Sequence, residues 1–98
     1  MATETHAKSI HATLTSTTAD TVAITGFDLV DVINRDATNP LWVRYEGDAS
    51  PTTAVAAADG TDYVAPGGFI RIDAGGTDGG AISVVGNANA YSVVGVSA

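Results

Sequence analysis

The sequence predicts an all-β fold: a single small antiparallel β-sandwich or barrel of about eight short strands. Three observations predict it. Thr, Val, Ile, Gly and Ala dominate while Lys, Glu, Leu and Gln are scarce, which suits a pleated, half-buried surface better than a helix. Apolar and polar residues alternate over short runs, with turn residues every ~8 to 12 positions. No segment offers the crossover helix that joins parallel strands, so the sheet is antiparallel.

The strands follow from the alternation. The first nine residues lack it and read as a flexible arm, residues 1–9, ahead of a sandwich domain at 10–98. Ile10, Ala12 and Leu14 share one face of a first strand, with His11, Thr13 and Thr15 opposite. Val22 and Ile24 mark a second, ending at Gly26. Phe27 to Asn34 is nearly continuous apolar sequence interrupted by Asp28 and Asp31, so both of its faces are partly covered. Leu41, Val43 and Tyr45 alternate with Trp42, Arg44 and Glu46 in the next. The run from Val30 to Asp48 thus reads as a hairpin, with Asn34, Arg35, Asp36 and Asn39 as turn and cap residues of its loop.

Ala54 to Ala58 is short and runs into Asp59-Gly60, a turn signal, so it reads as loop and not helix. Asp62 to Ala65 is a short strand closed by Pro66-Gly67-Gly68, whose Pro-Gly order fits a type II turn. Phe69 to Asp73 follows, with Ile70 and Ile72 on one face, and Ala74 to Gly80 reads as a glycine-rich loop. Ile82 to Val85 and Tyr91 to Val96 read as a last pair around Gly86-Asn87-Ala88-Asn89. No second domain and no internal repeat is evident.

The 98 residues include no cysteine, so neither disulfides nor thiolate zinc sites supplement a core of modest size. Four basic residues, Lys8, Arg35, Arg44 and Arg71, face eleven acidic ones for a net charge of −7, which opposes binding to nucleic acid or to an anionic membrane. The N-terminal sequence has no apolar signal-peptide core, and no run approaches the ~20 apolar residues of a bilayer span. The expectation is a protein made in the cytoplasm, without nucleic-acid or membrane partners.

No constellation of residues points to catalysis or to a cofactor. His6 and His11 are the only histidines, and their odd spacing sets them on opposite faces of a strand. Asp59-Gly60-Thr61-Asp62 and the 75–80 segment look like calcium loops but lack the register of an EF-hand and the copies of a β-roll. Asp and Gly are ordinary hairpin residues, so turns are the favoured reading; a calcium site formed between loops is left open. No Gly-x-Ser-x-Gly elbow is present, and the 75–80 glycines lack a Gly-Lys-Ser/Thr ending. A pair of acidic residues suffices in principle to hydrolyse a glycoside, but a chain this small can hardly wall a cleft. The expectation is no enzyme, no metal and no cofactor. Trp42, the one tryptophan, lies opposite Leu41, Val43 and Tyr45, where it either fills a second core layer or anchors a partner.

Three segments carry a resemblance. They are Val32-Ile33-Asn34-Arg35-Asp36 with Asn39-Pro40-Leu41-Trp42-Val43, Val64 to Arg71 around Pro66-Gly67-Gly68, and Tyr91-Ser92-Val93-Val94-Gly95-Val96. In their order and in the small size of the chain they resemble small all-β virion structural proteins, of capsid decoration or head-fibre type, from tailed phages infecting actinobacteria. The similarity spans residues 20–96. It implies a decoration (cement) protein on the outer head surface, partnered by the major capsid protein and assembled as a homotrimer. A tail-associated or host-attachment carbohydrate-binding module is the alternative. No active-site residues come with the resemblance. The candidate partner-interface residues are Thr3, Thr5, His6 and Lys8 in the arm, Arg35 and Asn39 in the loop, and Trp42 and Arg44 on the following strand.

Overall fold

A computed structural model describes residues 5–24, 26–47, 50–76 and 80–97. Eight strands form: β1 (Thr5–Thr13), β2 (Asp20–Ala23), β3 (Phe27–Asn34), β4 (Leu41–Tyr45), β5 (Asp62–Val64), β6 (Phe69–Gly76), β7 (Ala81–Val85) and β8 (Ala90–Ser97). They build two four-stranded antiparallel sheets, ordered β1-β8-β3-β6 and β2-β7-β4-β5. The expected small β-sandwich is the observed architecture.

The pairing β1·β8, β2·β7, β3·β6 and β4·β5 is that of one long hairpin. Wrapping this ribbon on itself joins β8 to β3 and β7 to β4 and closes two Greek keys. The result is a jelly roll. Only β4 and β5 are neighbours in both sequence and sheet, and this overturns two expected pairings. β3 and β4 lie in different sheets, so Val30 to Asp48 is a crossing and not a hairpin. β7 and β8 are likewise separated.

The start of β1 differs from expectation as well. Thr5 pairs with Ser97 and Lys8 with Gly95, so residues 5–9 of the expected arm belong to the sheet, and its residues 1–4 lie outside the described residues. A bulge between His6 and Lys8 interrupts the period, which is why the alternation does not show in the sequence. At the other edge, β6 continues through Ala74 to Gly76, into the segment expected to be a loop.

Alternation builds the core. Val30, Val32, Ile72, Ala74, Tyr91 and Val93 of the first sheet face Val22, Leu41, Val43, Val64, Ile82 and Val84 of the second. Each fully buried aliphatic side chain contributes on the order of 1.5–3 kcal/mol of transfer free energy. Gly95 leaves the space that the Phe27 ring occupies; a Cβ there would stand 2.6 Å from the ring. Every residue of β7 is buried, because the long β4–β5 connection lies over its outer side. Ala54 N–H donates to Ser83 Oγ at 2.8 Å there, and both residues are buried.

Candidate functional site

The expected interface residues fall in three places. Thr5, His6 and Lys8 lie on β1, their backbones paired to Ser97, Val96 and Gly95 of β8. Their side chains, and Thr3 entirely, lie outside the described residues. Arg35 and Asn39 sit in the loop after β3, at one end of the sandwich. Trp42 and Arg44 are on the outer face of the second sheet. Of the eight, Arg35 and Asn39 share a loop, and Trp42 and Arg44 share one face of β4.

The loop end is closely knit by side-chain amides. Asn34 continues the inward side of β3 after Val30 and Val32, and neither Asn34 nor Asn89 exposes any surface. Asn34 Nδ2 donates to the carbonyls of Asn39 (2.9 Å), Val64 (3.2 Å) and Ala65 (3.3 Å). Asn89 Nδ2 donates to Asn34 Oδ1 at 3.1 Å and to the carbonyls of Asn39 and Pro40 at 2.9 and 3.2 Å. Asn34 Oδ1 also accepts from Asp36 N–H, and Asn89 Oδ1 from Asn87 N–H. Two buried amides thereby tie the loops after β3, β5 and β7, and Leu14 N–H donates to the Asn89 carbonyl to bring in the loop after β1.

Asp36 closes the loop with an Asx turn, accepting from Thr38 N–H at 2.7 Å and Asn39 N–H at 2.9 Å. The bonds from Asn39 and then Thr38 hold its carboxyl below the ordinary value of 3.8. The turn and cap roles expected of Asn34, Asp36 and Asn39 are those observed. Arg35 is exposed and reaches the Tyr91 carbonyl at 3.3 Å. Beneath the loops, burial and then a 2.8 Å hydrogen bond to Asp20 push the Tyr91 phenol above its ordinary value of 10.0.

On the second sheet, Trp42 neither enters the core nor stands free. It is half-buried against Tyr63, ring centres 5.1 Å apart and planes at 66°, an edge-to-face pair. Tyr63 is 54% exposed. Arg44 is partly covered by the β4–β5 connection: it bonds Glu46 at 3.1 Å and the Asp59 carbonyl at 3.4 Å. Its guanidinium lies beside Gly60, where a Cβ would stand 3.0 Å away. Glu46 in turn accepts from Thr52 N–H at 2.6 Å; that bond, then Arg44, holds its carboxyl below its ordinary value.

Sequence reasoning missed Phe69, which is 63% exposed on the outer face of the first sheet. The available signal was parity: Phe69 alternates with the core residues Ile70 and Ile72 and so must point outward. Its cross-strand partner is Ile33, and beside them Arg71 forms a two-bond ion pair with Asp31, at 2.7 and 3.0 Å. Among the described residues no pocket is present and no three His, Asp or Glu side chains gather for a metal. Comparison with protein-family models, with curated proteins and with solved structures gives no match.

Proposed function

We propose that this chain is a non-enzymatic virion structural protein, a decoration protein that binds the outer surface of an assembled capsid through the major capsid protein. The observation that carries the reading is the strand order β1-β8-β3-β6 over β2-β7-β4-β5, because jelly rolls recur in viral capsid domains. That warrant is a fold-level analogy. The ordered motifs of the sequence add to it from a different side, and in this protein they build the Asn-knit loop end and the Pro-Gly turn. A loop end held by buried amides meets a partner with little ordering cost. Trimeric clusters repeated over a shell then sum weak identical contacts. Difference imaging of heads with and without the chain tests the reading.

A second reading has its own observation. The Trp42–Tyr63 pair offers an aromatic surface on the outer side of a sheet, and lectin domains also use jelly rolls. Under this reading the protein is a carbohydrate-binding attachment module. Glycan-array binding that is lost in Tyr63→Ala supports it and displaces the capsid reading.

A further inference from the structure

We infer that the free edge of β6 pairs with the same edge of a second copy of this chain, antiparallel and centred on Ile72. Four strands lie at sheet edges: β1, β6, β2 and β5. β2 and β5 are four and three residues long, and β1 carries a bulge and a lysine, devices that blunt an edge. β6 follows Ile33 to Leu29 without a break in register from Phe69 to Asp73; its bulge comes only after Asp73, and the two charges it exposes, Arg71 and Asp73, are of opposite sign.

The phase of the ladder shows which groups this edge presents. Asn34 N–H donates to the Gly68 carbonyl at 2.9 Å, which makes Asn34 and Gly68 a hydrogen-bonded pair. By alternation Val32–Ile70 and Val30–Ile72 are hydrogen-bonded pairs, while Ile33–Phe69, Asp31–Arg71 and Leu29–Asp73 are the pairs between them. Phe69, Arg71 and Asp73 therefore direct their main-chain N–H and C=O groups away from β3, toward the open side. All three are also exposed on the outer face.

Charge then selects the register. Centred on Ile72, a two-fold contact sets Arg71 of each copy opposite Asp73 of the other, and the main-chain groups of both residues meet in hydrogen-bonded pairs. Centred on Arg71, the same contact opposes two arginines; centred on Ile70, it leaves Asp73 without a cation. Only the Ile72 register is self-complementary. Arg71 keeps Asp31 in this arrangement, since a guanidinium has five donors. Phe69 comes to lie opposite Gly75 of the second β6, a residue without a side chain. The contact is two-fold, so it joins two copies, or two larger clusters of copies, at a time.

Sedimentation equilibrium of the purified chain over a dilution series tests this without any shell present. Asp73→Arg leaves the Asp31–Arg71 pair intact and turns the contact into arginine against arginine. The wild-type mass is expected to be at least twice that of Asp73→Arg, with Asp73→Asn between them. Arg71→Asp alone also falls to the lower mass, and mixing it with Asp73→Arg restores the higher one, because each supplies the charge the other lacks. If Arg71→Asp does not fold, the double variant Asp31→Asn with Arg71→Asp takes its place in the mixture, because it removes the carboxylate that faces the introduced one. Equal masses for wild type and Asp73→Arg overturn the inference, as does a mixture that fails to recover the mass.

Discussion

The Nδ2 group of Asn89 donates to Oδ1 of Asn34 at 3.1 Å, between two side chains that expose no surface and stand 55 residues apart in the chain. Each amide also bonds backbone groups in neighbouring loops. Removing either leaves buried carbonyls or N–H groups without partners. Asn34→Ala and Asn89→Ala are each expected to cost about 2–3 kcal/mol in urea denaturation. The double variant should cost less than the sum of the two, by about 1 kcal/mol or more, because the pair shares its partners. Strict additivity would count against a single network.

Gly95 and Phe27 form a second coupled pair. Gly95→Ala places a methyl against the ring and is expected to destabilise by about 1–3 kcal/mol. Phe27→Leu in the same chain should recover part of that loss, whereas Phe27→Leu alone should destabilise. Thermal denaturation of the three variants checks the expectation.

Stability should fall in acid for a defined reason. Asp36 and Glu46 have folded-state pKa values below their ordinary values of 3.8 and 4.5. A depressed carboxyl contributes stability that is present above the unfolded pKa and is lost as pH falls through the folded one. Stability is thus level at neutral pH with respect to these groups and declines below about pH 4.5. Asp36→Asn keeps an oxygen acceptor for the turn and should flatten part of the decline in a pH series of denaturation midpoints.

Tyr91 gives the opposite limb. Its pKa is raised by burial and by Asp20, so its contribution is present below the unfolded value near 10.0 and is lost as pH rises further. Tyr91→Phe should remove that alkaline loss while lowering stability at neutral pH, where Asp20 loses the hydroxyl. An unchanged alkaline limb in Tyr91→Phe would assign it to other groups.

Deleting residues 1–9 tests the start of β1. The deletion removes the pairing of Thr5 to Ser9 with Val94 to Ser97 and turns that part of β8 into an open edge. The shortened chain is expected to be less stable by several tenths to a few kcal/mol in the same urea assay. A stability unchanged from the full chain would mean that this segment does not belong to the sheet.

The faces of the strands were legible in the sequence and their partners were not. Alternation at Val30-Val32, Leu41-Val43 and Ile70-Ile72 fixes which side is buried, and the Pro66-Gly67 turn is local, with Gly67 at φ +75° and Gly68 N–H bonded to the Ala65 carbonyl at 2.8 Å. Neither signal says which sheet a strand joins. The 35–40 and 86–89 connections can close a hairpin or span the ~10 Å between sheets, so the crossing of β3 to β4 and of β7 to β8 had no local mark. The buried role of Asn34 did have one: it falls on the inward parity of Val30 and Val32. Its partner Asn89 follows a turn and carries no such sign. The pairing of β1 with β8 joins the two ends of the described chain and leaves no trace in either segment.

The capsid reading is tested most directly by cryo-electron microscopy of phage heads prepared with and without this chain. The account predicts difference density at regular positions on the outer surface of the head, of a size that fits the jelly roll. Heads that are identical in the two preparations, or difference density confined to the tail, would contradict it.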